Sequence, residues 1–185
     1  GAEALLERLQ AVGAGRTLGA YRFTEIVPAF LRRARRTLST RFPGHPLSFA
    51  WLDINEPFAR AGIPPGSCCL VYCVNVLHVA ADLAATLAEI RRSLAEDGAL
   101  VLAECVRPFA DRPLHTEFVF NLLESFRAPR LVPGWRPNGG FLTPEQWTAA
   151  LESNGFRNVE ILPDIAALRD ACPSFLVAAI TARRA

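Results

Sequence analysis

The segment 67–104, SCCLVYCVNVLHVAADLAATLAEIRRSLAEDGALVLAE, constrains the fold more than any other part of the chain. Cys69–Val76 is an apolar run, as expected of a strand buried on both faces. Residues 81–96 place Leu83, Leu87, Ile90 and Leu94 at helical spacing, and Gly98 stops that helix. Ala99–Glu104 is a second apolar strand. A strand, an amphipathic helix and a strand in close succession require a crossover, so the two strands lie parallel in one sheet.

The flanking sequence repeats this alternation. Residues 3–12 put Leu5, Leu6, Leu9 and Val12 on one helical face, which Gly13-Ala-Gly15 ends. A strand is expected over Ala20–Glu25. Pro28 suits the first turn of a helix whose apolar face holds Phe30, Leu31, Ala34 and Leu38. Leu47–Ile54 reads as a strand, followed by a Pro/Gly loop at 57–66. A Pro-rich polar stretch follows residue 104, with an apolar helix at Thr116–Phe126 inside it. Thr143-Pro-Glu opens another helix, which ends at Asn154-Gly155. Strands at Val159–Leu162 and Phe175–Thr181 close the chain as an antiparallel hairpin. The expected class is therefore α/β with a mostly parallel sheet.

Composition excludes several roles. The 185 residues are 51% hydrophobic, enough for one domain with a real core. A net charge of +2 gives no bias toward nucleic acid or membrane. No apolar run reaches the length of about 18 residues that spans a bilayer, and no segment reads as a signal peptide. The five cysteines are odd in number. Three lie in or beside one apolar stretch, which suits buried thiols in a reducing, cytoplasmic setting. Cys69 and Cys73 have no second Cys or His pair at zinc-site spacing, so no metal is expected. All twenty basic residues are Arg and Met is absent, which suggests a GC-rich bacterial genome and a piece of a longer polypeptide.

In open α/β sheets, ligands bind beyond the carboxyl ends of the strands. Glu25, Asp53, Asn75–His78 and Glu104 are the polar residues expected at those ends. An acid after an early strand can hold ribose hydroxyls, and Asp53 could receive an amino group of a base. Glu25 and Asp53 would equally serve as local caps. His78 suits a general base, and Glu104 on the neighbouring strand could orient its ring and stabilise the imidazolium. A structural histidine is the plainer alternative. His115 precedes the apolar helix, and His45 sits between Pro-containing turns. Arg32, Arg33, Arg35 and Arg36 form a basic run that reads as a solvated helix face or as a dock for an acidic partner.

Taken together, YRFTEIVPAFLRRARR, SFAWLDINEP and the segment 67–104 resemble class I S-adenosylmethionine-dependent methyltransferases, and most closely the methyltransferase domains of modular polyketide synthases. The resemblance covers about residues 1–182. It implies a Rossmann-like sheet whose first strand and glycine-rich loop are missing from this chain. It also implies one catalytic domain over 1–185, represented by its C-terminal part, with an acceptor-pocket insertion at 105–142. His78 and Glu104 match the catalytic dyad of those domains. Glu25, Ile26, Asp53, Ile54 and Asn75 would bind S-adenosylmethionine, and Phe118, Asn121, Trp135 and Phe141 would line the acceptor pocket.

The implied reaction is methyl transfer to an acyl chain on acyl carrier protein, among neighbouring synthase domains. The stretch 118–147 lacks the LLPGWW-like run associated with C-methylating domains. O-methylation of a β-hydroxyl is therefore expected ahead of C-methylation at the α-carbon of a β-ketoacyl thioester. Cys69 stands where the family has an Asp before its fourth strand. The absent glycine loop leaves open a non-catalytic scaffold, and a free-standing small-molecule methyltransferase is a further alternative.

Overall fold

A computed structural model describes residues 1–173 and 176–185, and the side chains of all these except Arg16 and Ser125. The chain forms two compact units, Gly1–Glu56 and Pro57–Ala185.

In the first unit, helix α1 spans Ala2–Ala11, strand β1 Tyr21–Glu25, helix α2 Pro28–Arg41 and strand β2 Leu47–Trp51. Gly13 ends α1 with φ 75°, a conformation that favours glycine. β1 and β2 pair in parallel from Tyr21↔Leu47 to Glu25↔Trp51. Their inward residues Phe23 and Phe49 join Leu6, Leu38 and Phe42 in one apolar cluster. Val12 and Phe30, both assigned to helical apolar faces, are instead exposed. Val12 follows the last turn of α1, and Phe30 lies in the first turn of α2. The indole N–H of Trp51 donates to the Ile26 carbonyl at 2.8 Å and ties together the carboxyl ends of β1 and β2.

In the second unit, strand β3 is Cys68–Val74, helix α3 Leu83–Ser93 and strand β4 Leu94–Val106. Two single-turn helices follow, α4 at Glu117–Phe120 and α5 at Glu124–Arg127. They replace the continuous helix expected at Thr116–Phe126, because Asn121 caps back on its own turn through its Nδ2 bond to the Glu117 carbonyl. Then come helix α6 at Pro144–Ser153, strand β5 at Phe156–Leu162, the short helix α7 at Ile165–Leu168 and strand β6 at Leu176–Arg184. Phe175, expected to start the last strand, lies outside the described residues.

The sheet order is β3-β4-β6-β5. β3 and β4 are parallel, whereas β6 runs antiparallel to both β4 and β5. The last two strands thus form the expected antiparallel pair, within a Rossmann-like α/β fold of mixed sheet. β3 lies at the edge of this sheet, so Leu70 and Val74 are exposed rather than buried on both faces. Cys69 is exposed as well, and the five cysteines are free thiols.

β4 carries the core of this unit. Leu100, Leu102, Glu104 and Val106 alternate along it with no exposure, and Leu83, Leu87 and Ile90 of α3 are buried as well. α3 stops at Ser93, earlier than its apolar spacing suggests. Asp97 takes φ 59°, and a Cβ on Gly98 would sit 2.9 Å from the Ala95 carbonyl oxygen. The bend within β4 at Asp97-Gly98 therefore needs glycine at 98. Thr143 and Gln146 form a reciprocal capping box at the start of α6. Among the described residues, no helix is long and apolar enough to cross a membrane.

Asp82 caps α3, accepting the Ala85 N–H at 3.1 Å, and its other oxygen takes Arg130 Nη1 at 2.7 Å. Burial acts to raise the Asp82 carboxyl, but Arg130 and the cap N–H groups outweigh it and hold it below its ordinary 3.8. A depressed folded value means stability that is present above the unfolded carboxylate range and is lost as pH falls through the folded value. We expect Asp82→Ala to lower unfolding free energy by about 1 kcal/mol at neutral pH. Urea titrations at neutral and strongly acidic pH should show that the gap from wild type closes in acid.

Candidate active site

The site is built where β3 and β4 end side by side. The pairing continues one step past β3, with the Asn75 N–H donating to the Ala103 carbonyl at 2.7 Å. Asn75 then turns the chain with φ 51°, a left-handed conformation that Asn tolerates better than most residues. A 3-10 turn at Leu77–Val79 follows and brings His78 over Glu104.

Glu104 Oε1 accepts the N–H groups of Val76 at 2.9 Å and Leu77 at 2.8 Å. Its Oε2 lies 2.7 Å from His78 Nδ1, and both side chains are buried. An ionised carboxylate can accept from all three donors; a protonated one would set its own O–H against one of them. The network therefore puts the imidazole proton on Nδ1 and the ring lone pair on Nε2. Nε2 is buried and has no hydrogen-bond partner. An orphan of this kind costs roughly 1–3 kcal/mol and calls for an explanation.

The charge on Glu104 reaches its neighbours. Burial, reinforced by Glu104, pushes the Cys73 thiol up to about 12. The same two causes raise Cys105, whose S–H donates to Asn75 Oδ1 at 3.3 Å. Both thiols are thus kept protonated and unreactive.

Three phenylalanine rings enclose the imidazole. Phe120 lies 4.9 Å, Phe141 5.0 Å and Phe126 5.9 Å from it between ring centres, all edge-on. Of the residues expected to line an acceptor pocket, Phe141 belongs to this shell. Phe118 does not; it is 76% exposed on α4. Residues two apart on a helical turn point to opposite sides, so the ring that reaches His78 is Phe120. Asn121 spends its side-chain amide on its own turn, and Trp135 is buried near Arg136 in sequence.

Two buried arginines, not anticipated from the sequence, fix this architecture. Arg136 is 1% exposed, and its guanidinium donates to the carbonyls of His78 at 3.2 Å and Ala80 at 3.3 Å. Burial, opposed by Asp82, pushes its pKa down to about 10, so it stays charged at neutral pH. With the Arg130 N–H to the Ala81 carbonyl at 2.7 Å, the segment 130–136 clamps the His78 turn. Arg107, next after β4, forms a two-point pair with Glu117 through Nε at 2.6 Å and through Nη2, and Nη2 also donates to the Gly139 carbonyl at 3.1 Å. Gly140 has φ 93°, and a Cβ there would overlap both Arg107 Nη2 and Glu117 Oε2. Neither arginine belongs to an apolar period or a motif, and no sequence signal short of the fold marks them.

The other expected residues lie in the first unit. Glu25 ends β1, and its Oε1 accepts the Val27 N–H at 2.9 Å. Ile26 follows, exposed. β2 stops at Trp51, so Asp53 lies two residues beyond the strand, and its Oδ1 accepts both the backbone and side-chain N–H groups of Asn55 at 2.9 Å. Ile54 is half-buried in the same turn. The local capping role is thus real for both acids, and each keeps a second carboxylate oxygen outside these bonds.

This fold, with the family match that follows, defines an S-adenosylmethionine-dependent methyltransferase domain. The family described as "Methyltransferase domain" matches residues 4–102, and the chain belongs to it. Highly reducing polyketide synthase 2 of Gibberella zeae is 30% identical over 159 residues, 86% of this chain and 6% of that protein. Polyketide synthase ThaG of Burkholderia thailandensis is 32% identical over 139 residues, 75% of this chain and 2% of that protein. The chain therefore spans only a small part of these relatives. Among solved structures, the DszA carbon methyltransferase matches with a TM-score of 0.77 and 27% identity, covering 99% of this chain and 44% of that one. The CurJ carbon methyltransferase matches with a TM-score of 0.74 and 28% identity, over 90% and 42%. Both are carbon methyltransferases, which counts against the expectation of an oxygen acceptor.

The buried pair allows a stability test. Arg107→Leu leaves Glu117 buried and unpaired and should cost about 3–5 kcal/mol. The double variant Arg107→Leu/Glu117→Leu should cost clearly less than Arg107→Leu alone, as measured by denaturant unfolding.

Proposed function

We propose that this chain, within the domain it belongs to, transfers the methyl group of S-adenosylmethionine to the α-carbon of a β-ketoacyl thioester carried on acyl carrier protein. His78 is the general base. The observation that carries this reading is the buried, unpartnered Nε2 of His78, with Nδ1 committed to Glu104 at 2.7 Å. The carbon acceptor is supported by the two carbon methyltransferases that resemble the chain at above 25% identity. The carrier-bound substrate is supported by the kinship with polyketide synthases.

The donor set fits the cofactor. Glu25 ends β1 and Asp53 lies two residues past the parallel β2, and a carboxylate at each position can accept from a ribose hydroxyl or an adenine amino group. Ile26 and Ile54 beside them offer apolar surface to the base. When bound, S-adenosylmethionine supplies an electrophilic methyl group on a positively charged sulfur.

The protein's own residues supply the rest. The carbon between two carbonyls would give its proton to Nε2, and the electron pair of that C–H bond would form the new C–C bond as the methyl–sulfur bond breaks and leaves its electron pair on sulfur, with S-adenosylhomocysteine as the product. Glu104 stabilises the imidazolium through Nδ1, as a carboxylate partner does for other catalytic histidines. The phenylalanine shell excludes water, which would otherwise compete for the nitrogen. Residues 105–142 form the acceptor side, with Phe126, Trp135 and Phe141 its buried aromatic members and Phe118 and Asn121 on its outer turn.

The experiment is methyl transfer to carrier protein loaded with β-ketoacyl or β-hydroxyacyl chains, using the full-length protein and locating the methyl by product mass spectrometry. Methylation at carbon of the ketoacyl chain is expected. Methylation confined to the hydroxyl oxygen would replace this reading, and no transfer with either acceptor would favour a scaffold. His78→Ala should slow turnover by about 10²–10⁴-fold while cofactor affinity by calorimetry stays near wild type. Glu104→Gln cannot accept all three N–H groups, because its amide adds donors of its own. The imidazole then loses its enforced tautomer, and turnover should fall by about 10²-fold or more with the fold retained.

A further inference from the structure

We infer that Phe120 is the gate of the dyad, the ring that must move for an acceptor to reach His78, and hence a residue that sets acceptor size. This rests on the role given to Nε2 above. As the structure stands, that nitrogen is buried and has no hydrogen-bond partner. No acceptor can reach it until part of the phenylalanine shell is displaced.

The three rings are not equally free to do so. Phe126 and Phe141 are each 1% exposed and form a core cluster with Cys105 and Leu114. Moving either would open a cavity in that core. Phe120 is only partly buried and packs on the cluster from outside. It rides on the single-turn helix α4. The other apolar side chains of that segment, Phe118, Val119 and Leu122, are 64–79% exposed. Phe120 is therefore the main apolar contact that holds the turn down. The turn is held at its other end by Glu117, fixed to Arg107. A swing about Glu117 lifts Phe120 and leaves Phe126 and Phe141 in place.

The test reads the exposure of Nε2 directly, without relying on methyl transfer. Diethyl pyrocarbonate acylates an unprotonated imidazole nitrogen, and peptide mass spectrometry times each histidine of the full-length protein separately. His115 is exposed and serves as the internal standard. In wild type, His78 should react far more slowly than His115. In Phe120→Ala it should react about ten-fold faster or more, with His115 unchanged. Phe120→Leu should fall between them, and it keeps the test valid if the alanine variant does not fold. Wild-type His78 reacting as fast as His115 overturns the gate. So does a His78 rate unchanged in both folded variants, because the seal would then belong to Phe126 and Phe141. With loaded carriers, the variants should lower KM most for acceptors already branched at the α-carbon, while cofactor affinity stays constant. Failure of all methyl transfer would overturn the proposed reaction and leave the accessibility result standing.

Discussion

The three N–H groups that converge on the Glu104 carboxylate are the constraint on which the rest of the site depends. Two come from the backbone at Val76 and Leu77, so the carboxylate shapes the turn as well as the imidazole. Glu104 is held in turn by central strand β4, opposite Ala178 of β6. A buried charge is tolerable only when it is well bonded, and here the bonding partners include the residue it serves. Structure and chemistry therefore share one group: a loss of the carboxylate would release both the turn and the tautomer.

The turn is also held from above. Arg136 takes the carbonyls of His78 and Ala80 while Glu104 takes the N–H groups of Val76 and Leu77. Opposite charges thus grip opposite sides of the same short loop. Such a loop presents one ring nitrogen inward and leaves the other unsatisfied. The cost of that orphan nitrogen is offset by the surrounding bonds, which is how a reactive group can persist in a folded chain.

How much of this was legible in the sequence follows from what each region relies on. The β3–α3–β4 unit relies on apolar period, so His78 and Glu104 could be placed at neighbouring strand ends from sequence alone. Boundaries were less legible where backbone geometry overrides period. Leu94 keeps the helical spacing of α3 yet starts β4, because its backbone pairs with Cys68 of β3. Glu25 and Asp53 were legible as acids near strand ends, but their bonds to Val27 and Asn55 depend on local turns that spacing does not reveal. Phe118, expected from the resemblance to line the acceptor pocket, points outward, while Phe120 two residues on faces the imidazole.

Residues 105–142 were the least legible, for a physical reason. The apolar run at 116–126 does not form the continuous helix it suggests. The stretch is pinned by buried guanidinium groups, with Arg107 on Glu117 and Gly139, and Arg136 on the His78 turn. Contacts of this kind leave no local pattern, since each arginine looks like an ordinary surface charge in sequence. They also suit the task better than an apolar stripe would. A segment fixed at a few charged points can hold Phe141 rigidly against the imidazole while leaving the α4 turn, with its exposed Phe118 and Val119, lightly held beside it. The same stretch can then be firm where it orients the base and loose where an acceptor must enter.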